Sequence, residues 1–150
     1  LKDKYSHDEI EVILAHEFAH YRLKHLTKLI IANAFSTLAV FFLIYKTSGY
    51  LLGFFGFDSL SDIAALPVIL IYFIIFGVIT KPLEAFISRS FERSADSLAL
   101  KTTGLKGAFI SMMNKLSEQN LADRSPHPII KFFFFDHPPI DERIKSAELP

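Results

Sequence analysis

The 150-residue sequence predicts an all-α fold, a fragment of an integral-membrane helical bundle that contains a two-helix transmembrane hairpin. Three observations predict it. Two apolar runs, Leu29–Tyr45 and Ile63–Thr80, hold no charged residue over 17 and 18 positions. Hydrophobic residues make up 51% of the chain, and two such runs in 150 residues would need a large soluble core to hide them. Outside the runs, apolar residues recur at helical spacing, and no stretch reads convincingly as a strand.

The first element is a helix. "SHDE" supplies Ser6 as N-cap and Glu9 three residues later, a capping box. Residues 9–26 then continue without Gly or Pro, with Ile10, Ile13, Leu14 and Phe18 at helical spacing. The two charge-free runs follow as transmembrane helices of about 29–45 and 63–80, roughly 26 and 27 Å long at 1.5 Å per residue. That is slightly short of a ~30 Å hydrocarbon core, and Lys28, Lys46 and Lys81 can snorkel to make up the difference. Between them "KTSGYLLGFFGFDSLSD" has three glycines among aromatics. It reads as a turn with Tyr50, Phe54, Phe55 and Phe57 at headgroup depth. Cations flank the outer ends of the hairpin (Arg22, Lys24, Lys28, Lys81, Arg89, Arg93), against Lys46 alone in the linker. The positive-inside rule then puts those ends on the cytoplasmic side. Pro82 begins or kinks the next helix, which Gly104 terminates. Leu105–Asn120 reads as an amphipathic helix in which Met112 and Met113 pack, and a short helix covers Ile140–Leu149.

Composition narrows the chemistry. Net charge is zero, which gives no electrostatic basis for binding nucleic acid. Cysteine is absent, so any metal must be held by nitrogen and oxygen. The chain opens without Met and without a signal-peptide pattern, as a segment of a longer protein would.

The motif that carries chemistry is "HEFAH". His16 and His20 are i and i+4, one turn apart on one helix face, so both imidazoles can converge on a single tetrahedral ion. Glu17 can lean over the open coordination position, take a proton from a water polarised there and pass it to a leaving amine. A catalytic zinc site wants a third protein ligand. "KPLEAFISRSFERSADSLAL" offers Glu92 and Glu84, and spacing alone does not choose between them, since Glu92 can equally pair with Arg89. Asp96, one turn beyond Glu92, can accept the second N–H of a metal-bound imidazole. A hairpin that goes out and back returns the later carboxylates to the membrane face that holds the histidines. His25 reads as a surface or interfacial residue. In "RSPHPIIKFFFFDHPPIDERI", His127 reads as a loop residue with no role. His137 follows the run Phe132–Phe135 and precedes two prolines that fix its approach, so it can donate to the oxyanion of a tetrahedral intermediate. Arg143 is placed to hold that segment by pairing with Asp136 or Asp141.

Taken in order, "SHDEIEVILAHEFAHYRLKH", two apolar spans, "FERSADSLAL" and "HPIIKFFFFDHPPIDERI" resemble the CAAX prenyl protease 1 family of integral-membrane zinc metalloendopeptidases, with HtpX-like membrane proteases as relatives. The resemblance covers nearly all 150 residues. It implies one Zn2+ per chain on His16, His20 and Glu92, Glu17 as catalytic base and Asp96 supporting the ligands, and it favours His137 near the reacting centre. Residues 1–150 would then be the C-terminal part of a membrane zinc metallopeptidase domain, multi-pass, with the active site facing the cytoplasm. Its partners would be the lipid bilayer, upstream membrane helices of the same full-length protein, and peptide or protein substrates: CAAX-type prenylated tails or membrane proteins. Two rivals remain. One is a non-catalytic membrane scaffold with a structural metal site, in which Glu17 has no use. The other is a di-iron bundle, which wants paired Glu-x-x-His motifs where "EFAH" supplies one.

Overall fold

A computed structural model describes residues 4–57, 59–120 and 123–149. The order of elements is α1 (His7–Arg22), α2 (His25–Phe55), a 3-10 turn (Ile63–Ala65), α3 (Leu66–Thr103), α4 (Lys106–Asn120), α5 (Pro128–Phe134) and α6 (Ile140–Glu148). No strand occurs among the described residues. The chain divides into two compact units, one made of residues up to Leu26 together with those from Pro82 on, the other of Thr27–Lys81.

The second unit is the helical hairpin. Its core is Val40 and Ile44 against Val68 and Tyr72, with Leu51, Phe57, Leu60, Ile69 and Phe76 packed around them. Thr47 Oγ1 and Tyr72 Oη share a 2.6 Å hydrogen bond across the pair. Only 11% of the apolar window of α2 and 17% of that of α3 is buried, so these are not the core helices of a soluble domain. Phe35, Leu38, Phe42, Ile74 and Ile79 all lie more than 60% exposed, and a face this greasy needs lipid or further protein against it.

Both helices outrun the boundaries expected from the sequence. α2 continues through the expected turn to Phe55, with Gly49 and Gly53 inside it. A helical Gly costs about 1 kcal/mol relative to Ala, but Leu51 and Leu52 pack within the unit and keep the helix going. Of the three linker glycines only Gly56 takes a positive φ (74°), and it ends the helix. The side chain of Asp62 then accepts from Ala64 N (2.9 Å) to start the return turn. Pro82 neither begins a helix nor stops one, for α3 runs through it unbroken to Thr103. Just before Pro82, the hydroxyl of Thr80 bonds back to the carbonyl of Gly77 (3.4 Å). One helix is therefore both an arm of the hairpin and the carrier of Glu92 and Asp96.

The first unit has its own core: Tyr5, Val12, Phe109, Met112, Met113 and Ala147. α4 packs against both α1 and α6. The capping box forms, with Ser6 Oγ accepting from Glu9 N (3.2 Å) and Glu9 Oε2 from Ser6 N (2.7 Å). Gly104 (φ 70°) ends α3 as expected. α1 does not run to residue 26; it stops at Arg22, and Lys24 takes φ 55° to redirect the chain. α5 is a helix where the sequence suggests only an apolar run. His127 caps it through Nδ1, which accepts from Ile129 N (3.3 Å), and Pro128 sits in its first turn. His127 thus has a structural role after all.

Glu9 does more than cap. Its carboxylate, 2% exposed, also accepts from Ser111 Oγ and Lys115 Nζ on α4, both at 2.7 Å. Burial pushes the carboxyl up, but Lys115, Ser111 and the Ser6 N–H more than offset it and hold the pKa at about 2. A carboxyl depressed in the folded state stabilises above its ordinary value near 4.5, and that contribution is lost as pH falls towards about 2. Thermal melting in detergent should therefore show a midpoint that drops across this window. Glu9→Ala should destabilise by about 3 kcal/mol at neutral pH, since it strands Lys115 and Ser111 and removes a cap, and its melting midpoint should lose much of the acid sensitivity.

Candidate metal centre

Four segments of the first unit deliver the site. α1 places His16 and His20 one turn apart, because a break-free helix through the motif puts i and i+4 on one face. α3 brings Glu92 and Asp96, also one turn apart, to meet them. The segment between α5 and α6 adds His137, and α6 adds Arg143.

The geometry is that of a small triangle. His16 Nε2 and His20 Nε2 lie 3.1 Å apart; Glu92 Oε2 is 3.5 Å from the first and Glu92 Oε1 is 3.3 Å from the second. Ligands held 2.0–2.1 Å from a tetrahedral ion are separated by about 3.3 Å. The three side chains therefore fit one metal ion of zinc's size, and the set of two imidazoles and a carboxylate suits it chemically. His16, His20 and Glu92 are a candidate metal site. Glu84, the other glutamate on α3, is exposed two helical turns away from Glu92.

Asp96 and Arg143 back the triangle. Asp96 Oδ1 lies 3.0 Å from His16 Nδ1, an approach that falls short of a well-aligned hydrogen bond. Burial of His16 opposes its positive charge, yet Asp96 and Glu92 more than offset that and raise its pKa to about 9. A cation is wanted at this spot, and a metal ion would take the proton's place. Arg143 does not pair with Asp136 or Asp141. Its Nε and Nη2 grip the two oxygens of Asp96 at 2.7 and 2.5 Å, and Nη2 is 3.6 Å from Glu92. A buried carboxylate one turn from Glu92 needs a bidentate cation more than an exposed Asp does. Asp141 pairs instead with Arg124 at 2.8 Å.

Arg89 does not neutralise Glu92 either. Buried, it donates to the carbonyls of Lys131 (3.0 Å) and Phe135 (2.5 Å), and so clamps the end of α5 just ahead of His137. His137 Nδ1 is hydrogen-bonded to Asp136 (3.0 Å), while its Nε2 faces Glu92 Oε1 at 3.8 Å. Glu17 is exposed on α1. It shares with His16, His20, Glu92 and His137 the wall of a cavity of about 890 Å³, which Met112, Met113 and Phe134 also line.

His25 departs furthest from its expected place. It is 3% exposed, not a surface residue, and touches His20. Nothing in the sequence marks Lys24 as the residue that takes a positive φ, so nothing there signals that the chain doubles back. The five-residue spacing from His20 is the one available hint.

Two imidazoles from one helix, a carboxylate from a second and an exposed Glu beside them, all opening on a cavity, form a candidate metal centre of the kind that helical metallohydrolases use. The chain belongs to peptidase family M48, which matches it over residues 1–149, and that is a metallopeptidase family. It is 31% identical over 150 residues to the metalloprotease YhfN of Bacillus subtilis, covering 97% of this chain and 35% of that protein. To the CAAX prenyl protease 1 homolog of Arabidopsis thaliana it is likewise 31% identical, over 94% of this chain and 34% of the relative. The crystal structure of S. mikatae Ste24p shares the fold, with a TM-score of 0.78 at 22% identity, over 95% of this chain and 36% of that one. The chain spans about a third of the length of these relatives.

Proposed function

We propose that this chain is the metal-binding part of a membrane-embedded zinc metalloendopeptidase. The observation that carries the proposal is the 3.1–3.5 Å spacing of donor atoms from three side chains beside a cavity that Glu17 lines. His16, His20 and Glu92 would hold the zinc, whose chemistry when bound is to polarise water and a peptide carbonyl. Glu17 accepts the proton that the attacking water loses and returns it to the leaving amine. His137, its ring held by Asp136, donates from Nε2 to the carbonyl oxygen as charge builds there. Asp96, itself held by Arg143, keeps His16 aimed at the ion.

His137→Phe should lower kcat by about 10²-fold, the usual cost of one oxyanion donor, with KM little changed. A rise confined to KM would assign His137 to substrate binding instead.

The substrates we infer are prenylated CAAX-type tails or membrane proteins. Support comes from the Arabidopsis relative, a CAAX prenyl protease 1 homolog, and from the apolar side chains that wall the cavity. The excess of cations outside the hairpin linker favours an active site on the cytoplasmic side. Because relatives are about three times as long, upstream helices complete the protein in this reading. The test is cleavage of a farnesylated CAAX peptide against its unmodified version by purified full-length protein, with metal content measured on the same sample. About one zinc per chain and preference for the farnesylated peptide are expected. Equal cleavage of both would remove the prenyl specificity, and two irons per chain would remove the zinc reading.

A further inference from the structure

We propose that His25 and Ser94 are positioning residues that fix the tautomer of His20 and aim its Nε2 into the metal site. The inference rests on the assignment of His16, His20 and Glu92 as ligands.

His25 Nδ1 lies 3.1 Å from His20 Nδ1, and His25 Nε2 lies 3.2 Å from Ser94 Oγ. The Ser94 hydroxyl donates to the carbonyl of Phe91 at 2.8 Å. Between two Nδ1 atoms in contact, one donates and the other accepts. His20 Nε2 faces Glu92 and His16 Nε2, so as a ligand it must keep its lone pair there, and the His20 proton must sit on Nδ1. His25 Nδ1 is then the acceptor, and its own proton is on Nε2, pointing at Ser94 Oγ. The hydroxyl hydrogen goes on to Phe91. One arrangement of protons satisfies every atom in the series, with donation running from His20 to a backbone carbonyl of α3.

That carbonyl belongs to the residue next to Glu92. Both histidines on α1 are thus tied to one stretch of α3, His16 through Asp96 and His20 through His25 and Ser94. The His25 ring lies flat on Phe91, 4.3 Å between centroids and 6° between planes. The positive φ of Lys24 turns the chain so that a residue five places after His20 comes back against it. A buried His that merely filled space would need neither the aligned Nδ1 pair nor the hydroxyl.

The experiment is zinc affinity of the full-length protein, measured by competition with a chelator. His25→Phe keeps the ring stack but has no acceptor, and should weaken zinc binding by about 10–100-fold, the usual effect of losing an outer partner of a ligand. His25→Asn, whose Oδ1 lies close to where Nδ1 was, should recover to within a few-fold of wild type. Ser94→Ala should weaken binding alone, add nothing in the His25→Phe background, and be rescued by Ser94→Thr. The Ser94 pair carries the test if His25→Phe does not fold. Nitrogen-15 shifts of zinc-loaded wild-type protein should show His20 protonated on Nδ1. Wild-type affinity in His25→Phe or in Ser94→Ala, with His20→Ala still losing zinc, overturns the relay and leaves the ligand assignment standing. Zinc binding retained in both His20→Ala and Glu92→Ala overturns the assignment itself.

Discussion

Glu17→Gln should leave zinc content at one per chain and lower peptide cleavage by at least about 10³-fold. The expectation follows from where Glu17 sits. It is on α1 immediately after His16, exposed on the cavity wall rather than engaged with Asp96, Arg143 or His137. Gln keeps the size and the polarity of the side chain but cannot take a proton, and general-base catalysis contributes about 10²–10⁴-fold. In the proposed reaction the same group serves as base and then as acid, so both uses are lost together. Because Glu17 is exposed, the substitution should leave thermal stability and zinc affinity near wild type. Inductively coupled plasma analysis and a cleavage assay on one purified sample check both halves. Cleavage at the wild-type rate would remove Glu17 as the general base.

Glu92→Ala should be the most damaging change to the metal centre. It removes one corner of the donor triangle and exposes two problems at once. Zinc in a four-ligand protein site is bound by roughly 10–16 kcal/mol, or about 3 kcal/mol per ligand, so affinity should fall by on the order of 10²-fold or more. Arg143 also loses a carboxylate 3.6 Å from Nη2, leaving Asp96 alone to balance it beside His16. Activity in Glu92→Ala should therefore vanish at low free zinc and return only in part when zinc is raised. Glu84→Ala, two turns away and exposed, should retain wild-type zinc affinity. If Glu84→Ala and Glu92→Ala lost zinc equally, the third-ligand assignment would fail.

Features that act over a single helical turn are legible in the amino-acid sequence. The i, i+4 pair His16 and His20 on an uninterrupted helix, the Ser6–Glu9 capping box and the Gly104 stop all depend on residues within about four positions of one another. The two apolar runs are legible for a similar reason, since hydrophobic length needs no partner to be recognised. The ends of those helices are less so. Gly49 and Gly53 suggest a turn, and Pro82 suggests a helix start or a kink, because local propensity weighs against a helix interior at each. Packing of Leu51 and Leu52 within the hairpin, and continuation of α3 through Pro82, outweigh it.

The sequence by itself determined which groups this protein could offer a metal: two imidazoles one turn apart, a glutamate beside them, carboxylates on a later helix, and no thiolate. Tertiary structure alone decided how those groups are held. Arg143 grips Asp96 instead of Asp136 or Asp141, Arg89 leaves Glu92 for the carbonyls of α5, and Glu9 ties α1 to α4 as well as capping it. His25 comes against His20 where Lys24 takes a positive φ that no glycine announces. The physical reason is common to all four: a buried charge or imidazole takes the partner that burial brings to it, and sequence distance does not report which partner that will be.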